Sequence, residues 1–301
     1  MTAPGGAERG QIEVQGHGGE RRGWLLDRIH GANKMPWGRD PLEFDPAAVQ
    51  QTVDRAGHLF GPRRYFGLEV EGFDHVPSAP TMVVSNHSGG TTIPDVWGFL
   101  IAWYRHFGVQ RPIHPMAHEI ILSNRVTGVY FARRGVLRGG RAIALSALRD
   151  ARHDLMVMPG GDRDTWRPYS KRYEVCFSGR VGYARLAILA GVPIVPVANA
   201  GAHETLIVLS DGRRFAKAIG LHAFARAEIF PVHLSLPWGF AVGPWPHLPT
   251  PVTLRYRIGA PLAPPEHLDR EREPTEEMVC DYDAQVRAAV QNLLNELKPA
   301  S

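Results

Sequence analysis

The feature that most constrains this chain is a recurring step from a short apolar run into a glycine loop. The run at 82–84 ends in Asn-His-Ser-Gly-Gly, the run at 155–158 ends in Pro-Gly-Gly, and the run at 192–198 leads to Gly201. Short runs rich in Val, Ile, Leu and Met between turn signals are typical of buried strands. The sequence therefore predicts buried strands that open into glycine loops.

Helical patterns separate these strands and extend beyond them. They fall at 95–106, 138–150 and 182–190, and an amphipathic helix is predicted at 276–297. Strands that alternate with helices predict an α/β fold with a mostly parallel central sheet flanked by helices. Such folds build their sites at the carboxyl ends of the strands, which is where the glycine loops lie.

The chain is predicted to form one domain over 61–300, with a helical N-terminal extension at 24–60. Asp45 and Pro46 supply a cap and a first-turn proline for a helix over 47–59. Residues 1–23 contain no apolar segment of the signal-peptide kind and are expected to be a disordered leader.

Composition excludes several classes of protein. The net charge of +4 is small, and no basic block with interleaved aromatic residues points to nucleic acid. The small positive net charge suits an anionic membrane surface or an anionic substrate such as a phosphorylated lipid or a CoA ester. The two cysteines, Cys176 and Cys280, lack the spacing of a metal site. They predict a reducing compartment without a disulfide framework.

The stretch 229–254 comes nearest to a membrane-spanning segment. It contains no Lys, Arg, Asp or Glu, but its prolines and glycines would break a helix. Its aromatic residues suit a boundary that is half apolar and half wet. They are Phe230, Trp238, Phe240 and Trp245. The stretch predicts either a membrane-facing surface or a strand and a proline-rich loop packed on the core. A smaller apolar stripe at 24–29 fits an interfacial helix or a helix packed on its own domain.

His87 follows the first predicted strand, so its imidazole is expected at the carboxyl end of the sheet. Asp95, further along the same loop, starts the next helical run. A carboxylate that holds one ring nitrogen leaves the other free to take a proton. The pair therefore predicts a general base with its orienting acid. The alternative is a surface histidine in an ordinary Ser-Gly-Gly turn.

Four segments follow one another in an order that a known family shares. They are Asn86-His87 with the later Asp95, then 128–134 ending in two arginines, then Met158-Pro159-Gly160-Gly161-Asp162-Arg163, and then the proline-containing strand 192–197. In this order they resemble the glycerolipid acyltransferase superfamily of the PlsC type, over residues 65–262. The family's fold is similar to the one predicted above, a glycerol-3-phosphate acyltransferase-like α/β domain.

The chain departs from the family pattern at two places. The usual aspartate of the first segment would fall at Thr92, whereas the next acid here is Asp95. Gly160 stands where the third segment usually has glutamate. The longer loop, the Pro-Gly-Gly step and the Gly-Ala-His-Glu step from Gly201 are similar to the diacylglycerol acyltransferase-like branch, which acylates neutral acceptors.

The resemblance implies an O-acyltransferase that moves a fatty acyl group from a CoA or carrier-protein thioester to a lipid hydroxyl. The acceptor would be a lysophospholipid or a neutral glycerolipid or alcohol, and transfer would take one step without a covalent enzyme intermediate. His87 is the predicted base and Asp95 its orienter. The predicted substrate-binding residues are Asn86, Ser88, Gly89, Gly90, Arg133, Pro159, Gly160, Gly161 and Arg163. No metal or organic cofactor is required beyond the thioester co-substrate. The expected location is cytoplasmic, peripherally attached to the inner face of a membrane.

Acyl transfer also needs donors where negative charge develops on the carbonyl oxygen. The backbone N–H groups of Gly89, Gly90, Gly160 and Gly161 are the candidates. Arginines could hold phosphates of CoA or of a head group, although each could equally form a surface ion pair. The candidates are Arg133, Arg134, Arg163, Arg167 and Arg172, with Arg133 and Arg163 preferred because they fall in the family segments.

Three other functions fit parts of the sequence. His114 and His118 are four residues apart and could share a helix face that binds zinc in a hydrolase, although Pro115 resists a helix there. A non-catalytic lipid-binding protein at a membrane surface would explain the departures at Thr92 and Gly160. An esterase or thioesterase would use the same residues and transfer the acyl group to water.

Overall fold

The computed structural model describes residues 35–212, 229–266 and 272–299; the predicted leader and the stripe at 24–29 lie outside the described residues. The strands are β1 Phe66–Glu71, β2 Met82–Ser85, β3 Ile113–Ala117, β4 Leu137–Arg138, β5 Asp154–Val157, β6 Ile194–Ala200, β7 Ile207–Ser210, β8 Val232–Ser235, β9 Gly239–Val242 and β10 Val252–Ile258. The helices are α1 Pro46–Ala56, α2 Pro94–Phe107, α3 Arg125–Ala132, α4 Arg141–Leu145, α5 Asp162–Thr165, α6 Gly182–Ala190 and α7 Glu276–Glu296.

Seven strands form the central sheet in the order β1-β10-β6-β2-β5-β3-β4. Strands β6, β2, β5, β3 and β4 are parallel, and β10 joins this set antiparallel to β6. Strand β1 pairs parallel with β10 at the far edge. The predicted α/β fold with a mostly parallel sheet and flanking helices is confirmed.

Strand β2 is buried on both faces, and its alternate residues enter two different cores. Val84 packs in the core built by α6 and α7, with Ile188 and Val286. Val83 lies in the opposite core, with Phe99 of α2 and Tyr256 of β10. Because side chains alternate along a strand, one short apolar run fills both layers. The end of β2 is therefore held firmly between two helical layers.

The predicted helix at 138–150 begins later than expected. Arg138 lies in β4, and α4 begins at Arg141 and continues as a π-helical turn, Ser146–Asp150. Gly139 and Gly140 separate the two elements, and glycine pairs oppose helix formation. The buried Arg138 guanidinium instead donates to two backbone carbonyls.

The described part of the predicted N-terminal extension is helical at α1 and packs on the same core as the rest of the chain. Val49 of α1 and Phe60 share the core of α2. The guanidinium of Arg105 in α2 donates to the carbonyl oxygens of Gly57 and Phe60 at 2.8 and 2.9 Å. These contacts join the end of the extension to the main domain.

Strands β7, β8 and β9 form a separate antiparallel sheet. Its inner side packs through Val208 on Trp166 and Leu206. Strands β8 and β9 fall in the stretch 229–254, whereas the sequence did not predict β7. Among the described helices, none combines the length and the hydropathy that crossing a membrane requires.

Candidate active site

The loop from β2 to α2 turns through backbone conformations that favour glycine. Gly89 and Gly90 have φ angles of +95° and +63°, where a Cβ atom is disfavoured. A Cβ on Gly90 would also lie 2.6 Å from Cε1 of His247. A 3₁₀ turn follows, and α2 then begins at Pro94, with Asp95 in its first turn. This 3₁₀ turn accommodates the additional residues between His87 and Asp95.

The imidazole of His87 and the carboxylate of Asp95 are in direct contact. Nδ1 of His87 lies 2.7 Å from Oδ2 of Asp95. Because a carboxylate only accepts hydrogen bonds, Nδ1 carries a hydrogen in this contact, and in the neutral imidazole Nε2 then has the lone pair. The Asp95 side chain is fully buried, whereas the His87 side chain is 14% exposed. The imidazole therefore has the hydrogen-bond arrangement of a general base that a reactant can reach.

Asp95 is fixed by contacts beyond the imidazole. The backbone N–H of Ser88 donates to Oδ2 at 2.8 Å, and that of Val96 donates to Oδ1 at 2.9 Å. The hydroxyl of Tyr256, in β10, donates to the Asp95 carbonyl at 2.7 Å. The position of Asp95 in the first turn of α2 also favours a negative charge on its carboxylate. The carboxylate is thus buried but well supplied with donors, which offsets the cost of its burial.

The glycine loop after β5 also reaches His87. Oδ2 of Asp164, in α5, accepts the backbone N–H of His87 at 2.6 Å. Oδ1 of Asp164 pairs with the guanidinium of Arg167, and both side chains are almost fully buried. Burial lowers the pKa of Arg167 to about 10, which still leaves it cationic at neutral pH. This buried ion pair joins the two loops at the backbone of the candidate base.

Gly160 lies where a larger residue does not fit. A Cβ there would be 2.3 Å from Cβ of Asp164 and 2.3 Å from the carbonyl oxygen of Cys176. The glutamate of the family pattern would therefore require the backbone to move. Arg180 donates to the carbonyl oxygens of Pro159 and Gly160, each at 3.2 Å. The predicted Pro-Gly-Gly segment is thus held through its peptide groups.

Asn86 and Asn199 connect the ends of β2 and β6. Nδ2 of Asn86 donates to the Asn199 carbonyl, and the Asn199 N–H donates to Oδ1 of Asn86, both at 2.9 Å. The hydroxyl of Ser88 donates to Oδ1 of Asn199 at 2.9 Å. All three side chains are buried. Asn86 and Ser88, predicted to bind substrate, therefore use these polar groups to support the loop.

A pocket of about 240 Å³ opens beside His87. Most of its wall is apolar and comes from α2, β3, α3 and β5. The apolar side chains include Ile93, Val96, Trp97, Leu100, Met116, Phe131, Met156 and Met158. The predicted Gly161 also lines it, as do His118, Arg134 and Asp162. An apolar pocket with a base in its wall suits a reactant that has a hydrocarbon part.

The structure distinguishes two adjacent arginines that the sequence could not. Arg133 forms an ion pair with Asp45, and this contact lowers the pKa of the Asp45 carboxyl. Arg134 lines the pocket instead, with its guanidinium 3.6 Å above the ring of Tyr130. The end of α3 therefore directs the two side chains to different places, and Arg134 is the one that lines the pocket. Substrate binding by Arg133 stays a prediction.

The other candidate arginines lie around the second glycine loop. Arg167 forms a buried ion pair with Asp164, so we do not assign it as a phosphate ligand. Arg172 packs on the ring of Tyr169 and lies 3.8 Å from Glu204. Arg163 is a half-buried residue of α5.

The predicted oxyanion donors do not all remain available. The N–H of Gly161 donates to the carbonyl oxygen of Met158 at 3.1 Å and closes the turn after β5. Gly161 is therefore corrected from an oxyanion donor to a residue of the pocket wall. The proposed role of Gly89, Gly90 and Gly160 stays a prediction.

The zinc alternative does not fit the observed geometry. His114 lies in strand β3 and not on a helix shared with His118. Its Nδ1 is 2.8 Å from the Gly135 carbonyl and its Nε2 is 2.9 Å from Nδ1 of His153. Burial lowers the pKa of His114 to about 4, so it is neutral at pH 7. Within residues 35–212, 229–266 and 272–299, no group of three or more metal-ligating side chains converges.

Sequence reasoning missed Asp164, Arg180 and Asn199. Asp164 follows the Pro-Gly-Gly step closely, so an acid just after the glycine loop was a usable signal. Arg180 and Asn199 gave no such signal, because their partners are distant in the sequence.

Residues 67–200 match the model of a family described as Acyltransferase. The matched region contains both glycine loops, Asp95 and Asn199. Residues 67–200 are therefore similar to an acyltransferase domain, and both glycine loops of the candidate site lie within the matched region.

Several relatives resemble most of the chain. An uncharacterized protein of Mycobacterium leprae is 24% identical over 95% of this chain and 73% of its own length. A Mycobacterium tuberculosis protein, also uncharacterized, is 25% identical over 91% of this chain and 72% of its own length. A Gallus gallus protein named DGAT1/2-independent enzyme synthesizing storage lipids is 24% identical over 78% of this chain and 61% of its own length.

Among solved structures, the 1-acyl-sn-glycerophosphate (LPA) acyltransferase PlsC from Thermotoga maritima is similar to this chain. The TM-score is 0.48 at 18% identity, over 92% of this chain and 90% of that one.

Proposed function

We propose that this protein transfers a fatty acyl group from an acyl thioester, of CoA or of a carrier protein, to the hydroxyl of a lipid. The observation that carries the proposal is the 2.7 Å contact between His87 and Asp95 beside an apolar pocket. A base with a free Nε2 suits the hydroxyl, and the apolar wall suits the acyl chain.

In this mechanism His87 acts first as a base and then as an acid. Nε2 takes the proton of the acceptor hydroxyl while its oxygen attacks the thioester carbonyl carbon. The carbon–sulfur bond then breaks, and the thiolate leaves with the proton from the imidazolium. Asp95 holds Nδ1–H throughout and stabilises the imidazolium that forms between the two proton transfers. No residue of the chain becomes acylated, and no metal or organic cofactor takes part.

The acceptor is proposed to be a lysophospholipid or a neutral glycerolipid or alcohol. The name of the Gallus gallus relative refers to storage lipids, which supports a neutral hydroxyl acceptor. The buried ion pair of Arg167 supports the same choice, because this candidate phosphate ligand already has a carboxylate partner. Because such acceptors reside in bilayers, we propose peripheral attachment to the inner face of a membrane.

The test is thiol release from a long-chain acyl-CoA and from an acyl carrier protein, with and without a panel of lipid acceptors. The panel contains a lysophospholipid, a monoacylglycerol, a diacylglycerol and a long-chain alcohol. Release that requires one acceptor and yields its acylated product supports the proposal and identifies the acceptor. Release without any acceptor supports an esterase or thioesterase. Vesicle binding without release from either donor supports a non-catalytic lipid-binding protein.

A further inference from the structure

The small sheet of β7, β8 and β9 has two very different faces. Val208, His233 and Ala241 point inward and are buried. The side chains between them point outward and are large and apolar. With the residues that follow β8 and β9, they are Ile207, Leu209, Leu234, Leu236, Trp238, Phe240, Val242, Trp245 and Leu248, each at least 41% exposed. We call these residues the outer face.

The outer face is unlike an ordinary protein surface. In a sheet with one solvated side, polar residues normally alternate with the buried apolar ones. Here the outward-facing positions are apolar instead, and the sequence has no Lys, Arg, Asp or Glu from 229 to 254. Leu236, Phe240 and Leu248 are 52%, 63% and 61% exposed. Contiguous exposed apolar residues of this kind mark an interaction surface.

We propose that the outer face is the surface by which this acyltransferase inserts into the boundary of a lipid bilayer. The proposal rests on the proposed function, since a lipid acceptor places the reaction at a membrane. Two further observations favour lipid over a protein partner.

The first observation is that the exposed tryptophans make their polar contacts inside the chain. Nε1 of Trp238 donates to the Pro246 carbonyl at 2.6 Å, and Nε1 of Trp245 donates to the Val242 carbonyl at 2.9 Å. Protein interfaces carry many hydrogen bonds and a polar rim. The outer face instead presents indole rings whose N–H groups are already satisfied, so they can enter an apolar boundary without leaving a donor unpaired.

The second observation is that the outer face is connected to the candidate site. The hydroxyl of Thr91 lies 3.4 Å from the Trp245 carbonyl oxygen. The hydroxyl of Thr92 lies 3.1 Å from Nε2 of His247. Both threonines belong to the loop between His87 and Asp95. A bilayer that receives Trp245 would therefore lie against the loop that carries the candidate base.

The test compares two triple variants of the full chain. The face variant is Leu209→Ser, Leu236→Ser and Phe240→Ser. The matched control, Leu42→Ser, Leu59→Ser and Val126→Ser, replaces apolar residues of similar exposure elsewhere, at 72%, 49% and 81%. Binding is measured by co-sedimentation with vesicles of phosphatidylcholine alone and of phosphatidylcholine with phosphatidylglycerol.

We expect the face variant to lose at least tenfold in vesicle binding on both lipid mixtures, and the control to change less than twofold. Equal binding by the two variants would overturn the proposal. If the face is covered by another part of this chain, the face variant will melt at a clearly lower temperature than the wild type. If a second copy covers it, the wild type will sediment as a dimer without lipid and the face variant as a monomer. Either result would also overturn the proposal.

Activity separates this proposal from the function on which it rests. The face variant should retain wild-type thiol release with a short-chain acceptor dissolved as monomers, and lose it with the same head group in vesicles. Vesicle binding through the outer face without any thiol release would overturn the proposed function alone. Thiol release from vesicles that is unchanged in the face variant would overturn the docking surface alone.

Discussion

The loop after β2 and the loop after β5 both end a parallel strand with glycines, yet they contribute different things to the site. The first carries the reactive group, His87, and closes on it through Asp95. The second carries no candidate base, and its acid, Asp164, accepts the backbone N–H of His87. In each loop a carboxylate that follows the glycines reaches His87. One carboxylate contacts the ring, and the other contacts the backbone.

The charge of the two carboxylates is balanced differently. Asp164 is matched by the buried cation of Arg167. Asp95 accepts from the imidazole and from the N–H groups of Ser88 and Val96. When His87 is protonated, the negative charge of Asp95 therefore stabilises the imidazolium directly. We infer that Asp95 acts on the chemistry of the imidazole and that Asp164 acts on its position.

Among the variants that compare the carboxylates and glycines of the two loops, the largest effect is expected for Asp95→Asn. An amide has one accepting end, whereas Asp95 accepts at both oxygens, so at least one N–H group would face an NH₂ group. We expect acceptor-dependent thiol release to fall at least about 100-fold, because general base catalysis contributes on that scale. Asp281→Asn, at an exposed carboxylate in α7, is the control and should leave the rate unchanged. A rate within threefold of the wild type would remove Asp95 from the mechanism.

Gly160→Ala tests whether the second loop must lack a side chain. Its Cβ would overlap the Cys176 carbonyl and Asp164, and such overpacking costs about 1–3 kcal/mol. We expect the urea midpoint of unfolding to fall accordingly. Gly182→Ala, at the first residue of α6 with open space around the new Cβ, should leave it unchanged or raise it. Equal stability of the two variants would show that the loop tolerates a side chain at 160.

Asp164→Asn is expected to have a smaller effect on rate than Asp95→Asn. The amide oxygen can still accept the His87 N–H, but the charge opposite Arg167 is lost. We expect kcat to fall about tenfold, with KM for the acyl donor changed less than threefold. Asp283→Asn is the matched control, since Asp283 is also buried and paired with an arginine, Arg287.

That control should lower stability without lowering kcat, measured well below both melting temperatures. If both variants lose kcat equally, the contribution of Asp164 is to stability and not to the position of His87.

The smallest effect is expected for the pH dependence of stability, through a histidine that contacts the first loop. Burial lowers the pKa of His247, which contacts Gly90 and Thr92, to about 4. The unfolded chain binds this proton near pH 6.5, so stability is lost as the pH falls below that value. Between pH 7 and pH 6 the contribution is about 0.7 kcal/mol. His247→Gln should flatten the pH dependence of urea unfolding by this amount, and an unchanged slope would contradict the assignment.

Much of this fold could be predicted because the signals are local. The apolar runs that become β2, β5 and β6 end where glycines begin, and α7 shows its helical period in the sequence. The antiparallel placement of β10 depends on its long-range pairing with β6, which no local pattern encodes. Strand β7 was missed because its outer residues are as apolar as its inner ones, so the usual alternation is absent.

The site could be predicted only in part, for a similar physical reason. His87 and Asp95 belong to one loop, so the next acid after the histidine identified the partner. Arg133 and Arg134 are adjacent, and only the end of α3 determines which one reaches the pocket. Asn199 contacts Asn86 from a strand far along the chain. Contacts of this kind follow from the packed sheet.

The most direct test of this account is the rate of acceptor-dependent thiol release in His87→Ala, beside the wild type and His58→Ala at an exposed histidine. If His87 is the base, His87→Ala should lose about 1,000-fold or more while remaining folded, and His58→Ala should match the wild type. A His87→Ala protein that keeps a tenth or more of the wild-type rate would contradict the account, because acyl transfer would then proceed without the imidazole that both loops hold in place.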